Sequence, residues 1–228
     1  MPQINRTYYE PKDIDVKIAE INDGIYRISG YNSIFGITFN QFLIDDEQPM
    51  LIHTGPIGMY KKIEEKVKEV IPLQKLTYVA FLHFESDEWG GMAFLESADA
   101  KLVCSDLSSK LNLTGWHNVP VDHMSFWDNE TMKTGKKQFR FIMTPHVHHW
   151  DSMMIFEETT GSLFPSDLFI QPGDNKPVIT NESFNFFKNY INTPSPVGFE
   201  YTGQRLWIDY IRPFVDEVFT DPYGTAVG

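Results

Sequence analysis

Residues that can bind a metal follow directly after an apolar run in the first half of the chain. Residues 76–82 are rich in β-branched and aromatic side chains, a composition typical of a buried strand. His83, Glu85 and Asp87 come next at alternate positions, so a short loop can direct several ligands to one point. Imidazole nitrogens and carboxylate oxygens suit iron, zinc or manganese. The pattern predicts a metal site at the edge of a sheet.

Two later segments carry the same ligand types. A predicted strand at residues 139–143 leads into a loop that contains His146, His148 and His149. A second short strand, residues 162–164, is followed by Asp167, whose carboxylate has lone pairs on both oxygens and can bridge two ions. Because these ligands all follow strands, they are expected to meet at one site, and the chain is expected to be an enzyme or a metal-based sensor.

The composition narrows the class of protein. The chain has 228 residues with 42% hydrophobic content, enough for a packed globular protein with a sizeable core. Acidic residues number 31 against 19 basic ones, which gives a net charge of −12. This balance argues against a nucleic-acid partner, which needs a basic surface, and disfavours an anionic membrane.

The single cysteine and the lengths of the apolar segments bear on the expected cellular location. Cys104 lies in a predicted short strand and is expected to be a buried, inert thiol, since one cysteine permits no internal disulfide. No signal-like core follows Met1, and no apolar stretch approaches the 18 residues or so of a transmembrane helix. A cytoplasmic location is the default expectation.

Hydrophobic periodicity predicts a layered α/β architecture. Alternating patterns predict antiparallel hairpins in the first quarter of the chain, and residues 60–71 have helical spacing that ends at Pro72. A short helix is expected after Gly90-Gly91. Residues 171–198 resemble a lid with a little helix, and a helix is expected around residues 203–218, kinked or divided at Pro213.

Three motifs in order resemble those of a known family. The pattern His83-x-Glu85-x-Asp87, followed by two glycines, resembles the ligand motif of metallo-β-lactamase-fold proteins. Hydrolases of that fold usually have His where this chain has Glu85, whereas flavodiiron proteins have Glu. Residues 144–153 are similar to the flavodiiron pattern Thr-Pro-x-x-His followed by Trp, Asp, Ser and Met, and residues 163–169 are similar to Leu-Phe-Ser-x-Asp-x-Phe.

The resemblance covers roughly residues 18–228 and implies a fold. It implies a metallo-β-lactamase-like four-layer αββα sandwich of the α/β class, formed as a single domain over residues 1–228. No flavin-binding segment is identified, so a flavodoxin domain is not expected. In this respect the chain resembles the stand-alone oxygen-binding di-iron proteins.

The resemblance also implies a ligand set. The residues that match the ligands of a first iron are His83, Glu85, His148 and Asp167, with Asp167 bridging. Asp87 matches a ligand of a second iron. The alignment favours His148 over His146 or His149, although the register of this loop is left open.

The second metal position departs from the family pattern. Glu88 stands where the family has His, and residues 221–224, which include Tyr223, stand where it has Ser-His-Gly. His53 replaces the usual Asp of the first half. A second site would therefore use Asp87, Glu88 and Asp167 with Tyr223 or His53. These last two are also the candidates for a catalytic role, and ordinary packing of Tyr223 stays open.

The implied function is a non-haem iron protein that binds or reduces O2 or NO with one or two iron ions per chain. Repeated reduction would need an external electron donor, and a homodimer is one option for the oligomeric state. The main alternative is a zinc- or iron-dependent hydrolase of the same fold, in which a metal-bound hydroxide attacks the substrate. A third reading is a binding or signalling module that holds no metal.

Overall fold

The computed structural model describes residues 14–91, 97–116, 122–170, 172–174, 185–186, 188–190, 192–194, 200–222 and 224–228. The chain forms two compact units, residues 1–176 and residues 177–228. The prediction of a single domain stays a prediction. The helix expected after Gly90-Gly91 and most of the expected lid lie outside the described residues.

A seven-stranded sheet forms the larger part of the first unit. Its strands occur in chain order across the sheet: β1 (Val16–Asn22), β2 (Ile25–Asn32), β3 (Ile37–Ile44), β4 (Met50–Ile52), β5 (Tyr78–Ala80), β6 (Lys101–Ser105) and β7 (His123–Phe126). Strands β1 to β4 are antiparallel neighbours, which confirms the predicted hairpins, and β4 to β7 run parallel. The strand predicted before His83 is β5, and the patterns did not predict β1.

A second, antiparallel sheet carries the later motifs. Its four strands are β8 (Thr131–Lys133), β9 (Gln138–Met143), β10 (Met153–Glu157) and β11 (Ser162–Phe164), in the spatial order β11-β10-β9-β8. Strands β9 and β11 confirm the strands predicted at residues 139–143 and 162–164. The His-rich loop connects β9 to β10, and Asp167 follows β11.

Helices connect the strands of the first sheet. Helix α1 (Tyr60–Lys68) joins β4 to β5 and buries Ile63 and Val67, as its spacing predicted. Helix α2 (Ser86–Trp89) follows β5, and a π-helix, Ser108–Trp116, follows β6.

The second unit contains one longer helix and a small hairpin. Helix α3 (Tyr201–Ile211) is followed by a 3-10 turn, Arg212–Phe214, so the helix ends before Pro213, which lies in the turn. Strands β12 (Phe219–Thr220) and β13 (Ala226–Val227) pair antiparallel.

Two apolar cores lie on opposite faces of the first sheet. Leu51 of β4 belongs to the core shared with α1, whereas the next residue, Ile52, belongs to the core shared with the second sheet. This alternation gives the first unit helix, sheet and sheet layers and confirms the layered α/β architecture. Cys104 is fully buried in the first core, and burial raises the pKa of its thiol to about 12, with Asp151 and Asp106 adding to the shift. Over the described residues, no helix has the length and apolar character needed to cross a membrane.

Candidate metal centre

The loop after β5 is held by an aromatic cluster and by a close backbone approach. The rings of Phe84 and Trp89 are 4.0 Å apart between centroids, and Phe81 lies 5.8 Å from Trp89. A Cβ on Gly90 would lie 2.4 Å from the carbonyl oxygen of Ser86. Only a residue without a side chain fits there, which gives the glycine after α2 a physical reason.

Four ligand-type side chains converge where the two sheets meet. Ligand atoms of His83, Glu85, His148 and Asp167 all lie within 4.8 Å of one another. Nε2 of His83 is 2.8 Å from Oε2 of Glu85 and 3.7 Å from Oδ2 of Asp167. Nε2 of His148 is 3.4 Å from Glu85 Oε2 and 3.3 Å from Asp167 Oδ2.

These distances fit a metal ion. Around an ion with ligands at about 2.1 Å, neighbouring ligand atoms lie roughly 3–3.5 Å apart. Two imidazole nitrogens and two carboxylate oxygens also form a donor set that iron, zinc or manganese accepts. The side chain of His83 is fully buried, whereas that of His148 is 58% exposed. A bound ion would therefore be anchored on one side and open to a small ligand on the other.

The topology explains how distant segments meet. The N–H of Met153, at the start of β10, donates a 2.8 Å hydrogen bond to the carbonyl of Leu82, at the end of the β5 segment. The N–H of Phe84 donates to the carboxylate of Asp151 at 3.1 Å. These two bonds join the loop that carries His83 and Glu85 to the loop that carries His148.

The side chain of Glu88 is turned toward protein donors. Oε2 accepts the N–H groups of Leu82 and His83 at 3.1 and 2.9 Å, and Oε1 accepts the hydroxyl of Ser166 at 3.1 Å. Oε1 also lies 3.2 Å from Nδ1 of His83. Nε2 of His53 is 3.1 Å from the same oxygen, without the geometry of a hydrogen bond.

These contacts shift the pKa values of Glu88 and His83. Burial alone would raise the pKa of Glu88, but His53 and His83 outweigh it and hold that pKa well below its usual range. Burial would lower the pKa of His83, yet the Glu88, Glu85 and Asp167 carboxylates raise it to about 9. A buried anion thus stands behind His83, on the side opposite Nε2.

Asp87 lies beside the four-residue group but outside it. Burial, followed by the Glu85 and Glu88 carboxylates, raises the pKa of Asp87. Asp87, Asp167 and His53 all line a cavity of about 240 Å³ next to the site. Glu88, the fourth residue proposed for a second ion, lines the same cavity, and Tyr223 lies outside the described residues.

The other histidines of the His-rich loop are placed differently from His148. His146 is exposed, with a backbone φ of 68°, and its N–H donates to the carbonyl of His149. Nδ1 of His149 contacts Asp151, and its ring stacks on His83 at 5.7 Å between centroids. The structure therefore brings His148, and neither of its histidine neighbours, into the four-residue group.

Two residues near the site lie in the motif segments but were not among the predicted site residues. The hydroxyl of Ser166 pairs with Nδ1 of His83 at 2.9 Å. The buried Asp151 accepts from Asn112 at 2.9 Å and from Ser108, in addition to Phe84. Asp151 stands in the motif segment, but its partners are up to 67 positions away, so local spacing does not predict its role.

Comparison with known proteins places the chain in a family. Residues 37–196 match the family described as ODP family beta lactamase, and the chain belongs to this family. The chain is similar to the anaerobic nitric oxide reductase flavorubredoxin of Salmonella arizonae, with 28% identity over 150 residues. That alignment covers 62% of this chain and 30% of the relative, so the chain spans less than half the length of the curated relatives it matches.

Solved structures share the fold. The rubredoxin oxygen:oxidoreductase of Desulfovibrio gigas superposes with a TM-score of 0.66 at 22% identity, covering 87% of this chain and 53% of the other. The flavodiiron protein of Giardia intestinalis superposes with a TM-score of 0.64 at 20% identity, covering 90% and 54%. The predicted metallo-β-lactamase-like fold and the resemblance to flavodiiron proteins are confirmed.

Proposed function

We propose that the chain is a non-haem iron protein that binds or reduces O2 or NO at His83, Glu85, His148 and Asp167. The observation that carries this proposal is the convergence of two imidazoles and two carboxylates with one solvent-exposed side. Two histidines and a carboxylate on one face are the ligands of non-haem iron(II) sites that react with oxygen. The similarity to a nitric oxide reductase and to an oxygen oxidoreductase supports the same chemistry.

The residues of the site have separable roles in this proposal. His83 and His148 supply nitrogen donors, and Glu85 and Asp167 supply anionic oxygen donors that balance the charge of a divalent ion. Bound iron would supply a centre that exchanges electrons and binds a diatomic ligand at an open position. The neighbouring cavity, lined in part by Phe39, Phe42 and Phe164, gives such a ligand an apolar space beside Asp167.

A second ion would occupy an altered position. Asp87, Glu88, Asp167 and His53 line one cavity, but both oxygens of Glu88 accept hydrogen bonds from protein donors. The proposal therefore includes one iron at the four-residue group, and a second only where Asp87 and Asp167 hold it with His53 or Tyr223.

The partners follow from the chemistry. Repeated reduction of O2 or NO consumes electrons, so an enzymatic role requires an external electron donor, while binding or sensing requires none. A homodimer and a cytoplasmic location remain predictions, as do the expected lack of nucleic-acid and membrane partners.

The test is metal content and ligand binding on protein purified without oxygen and without chelators. The expected result is about one to two iron ions per chain, with a change in the visible absorption spectrum on addition of O2 or NO. The variant His148→Ala should lose both signals. Zinc in place of iron, together with turnover of an ester or phosphodiester, would contradict the proposal and favour the hydrolase alternative. Glu85 speaks against that alternative, because a carboxylate ligand weakens the Lewis acidity needed to activate water.

A further inference from the structure

Glu88 makes hydrogen bonds to three segments of the chain. The residue is 2% exposed and accepts two backbone N–H groups at the end of the β5 segment. Its other oxygen accepts from Ser166, which directly precedes Asp167. Its own carbonyl accepts the N–H and the hydroxyl of Thr54 at 2.6 and 3.0 Å. Glu88 thus fixes the loops on both sides of the metal site.

The directions of the hydrogen bonds made by Glu88 and Ser166 define which ring nitrogen of His83 carries a proton. Ser166 has a single hydroxyl proton, and it points to Oε1 of Glu88 at 3.1 Å. The same oxygen of Ser166 then has only lone pairs to offer to Nδ1 of His83, at 2.9 Å. Nδ1 must therefore be the protonated nitrogen of His83. Nε2 is then the nitrogen that can release its proton and bind a metal ion, on the side of Glu85, His148 and Asp167.

We propose that Glu88 is a positioning residue that, through Ser166, holds His83 in the tautomer and orientation required for metal binding. This inference rests on the proposed function only in assuming that the four-residue group binds an ion. It replaces the earlier expectation that Glu88 is a ligand of a second ion. Metal-bound histidines commonly donate their second N–H to such an outer partner, and loss of that partner typically costs 10–100-fold in metal affinity.

The backbone conformation of two residues that contact Glu88 supports this role. His53 and Ser166 have positive φ values of 62° and 54°, which side-chain-bearing residues adopt rarely. Both place their side chains at the same oxygen of Glu88. Strained residues of this kind persist where surrounding contacts determine them, and they cluster at functional sites. Here the shared contact is Glu88, and the strained Ser166 sets the start of the turn that carries Asp167.

The diagnostic variant is Glu88→Gln, which keeps the shape of the side chain. With its amide nitrogen toward Ser166, the new donor would reverse both hydrogen bonds and place the proton of His83 on Nε2. In the other orientation, the amide nitrogen would face the N–H groups of Leu82 and His83. Either arrangement should weaken binding of Fe²⁺, Co²⁺ and Zn²⁺ about 10–100-fold, measured by competition with a chelator.

A matched control is available in a second buried glutamate. Glu157 is fully buried and accepts the N–H groups of Thr159 and Thr160, at 2.7 and 2.8 Å. Glu157→Gln should lower the melting temperature of the metal-free protein without changing metal affinity. If Glu88 has only a structural role, Glu88→Gln should likewise lower the melting temperature and leave metal affinity unchanged. Unchanged metal affinity would overturn the proposal.

A measurement on the wild-type protein keeps the proposal testable if the variants fail to fold. Long-range ¹H–¹⁵N correlation of the histidine rings in the Zn²⁺-loaded chain should show His83 protonated at Nδ1 and metal-bound at Nε2. A proton on Nε2 would overturn the proposal. If the wild-type protein binds Zn²⁺ but not Fe²⁺, the proposed function is contradicted. The role of Glu88 can still be tested with Zn²⁺, so failure of one proposal can be distinguished from failure of the other.

Discussion

The backbone N–H of Phe84 donates a 3.1 Å hydrogen bond to the carboxylate of Asp151, across 67 positions of sequence. This bond joins the loop of His83 to the His-rich loop, so the geometry of the four-residue group depends on a contact between the loops of the two sheets. Asp151 is 1% exposed and also accepts from Ser108 and Asn112. One buried carboxylate therefore satisfies donors from three parts of the chain.

Removal of this carboxylate is expected to destabilise the fold and the site together. Asp151→Ala leaves several buried donors unpaired, at about 1–3 kcal/mol each. We expect the free energy of unfolding in urea to fall by about 3 kcal/mol or more, and metal affinity to fall with it. Asp122→Ala removes an exposed partner of Lys101 and should change stability by less than about 1 kcal/mol. Equal effects of the two variants would contradict the role assigned to Asp151.

A pair of histidines two positions apart tests the ligand assignment. His148→Ala removes a nitrogen donor from the four-residue group and should weaken metal binding on the order of 100-fold or more, beyond the loss of an outer partner. His146→Asn changes an exposed residue with positive φ to one that tolerates this conformation, so metal content should be unchanged. Elemental analysis after dialysis separates the two. Metal loss in His146→Asn with retention in His148→Ala would mean that the loop register is wrong.

The strands and the ligand-bearing loops could be predicted from the sequence because their signals are local. Residues 76–82 form a predominantly apolar run, and His83, Glu85 and Asp87 follow at alternate positions. The same holds for β9 and β11, each of which has its own apolar pattern. Strand β1 was missed, since its side chains alternate between buried and exposed only partially.

The direction of individual side chains could not be predicted in the same way. Glu88 has the composition of a metal ligand and follows Asp87 directly, yet its oxygens meet donors from Leu82, His83 and Ser166. Ser166 is 78 positions away from Glu88, so no local pattern contains their contact. Local spacing thus predicted where ligand-type residues lie along the chain, whereas the hydrogen-bond partners of each carboxylate depend on tertiary contacts.

The glycine after α2 should be required for the site. Gly90→Ala would place a methyl group 2.8 Å from the amide nitrogen of Ile57, in addition to the clash with Ser86, and should displace the short helix that carries Asp87. We expect lower stability and weaker metal binding. Gly161→Ala is the control, because a Cβ there meets nothing within 4 Å and only its φ of 73° is unfavourable, at about 1–2 kcal/mol. If Gly90→Ala behaves like Gly161→Ala in a metal titration, the close approach has no role in the site.

A second carboxylate, that of Asp46, links the two sheets and should make stability depend on pH. Asp46 accepts from the hydroxyl of Thr134 at 2.7 Å and from the N–H groups of Lys136 and Lys137 at 3.1 and 2.9 Å. Burial would raise the pKa of Asp46, but these hydrogen bonds outweigh it and lower the pKa below its usual value. A carboxylate whose pKa is lower in the folded state stabilises the fold above its unfolded pKa, near 4, and loses that contribution as the pH falls.

Asp46→Ala should therefore lower the free energy of unfolding by about 1–3 kcal/mol at pH 7. The difference from wild type should shrink as the pH falls below about 4, because the protonated wild-type side chain no longer accepts these bonds as an anion. Urea unfolding at several pH values measures the difference directly. Asp45→Ala, a change at the exposed neighbouring residue, provides the control and should change the free energy of unfolding only slightly at pH 7. If the difference in the free energy of unfolding between wild type and Asp46→Ala is constant from pH 7 to pH 3, the ionised form of Asp46 does not stabilise the link between the two sheets.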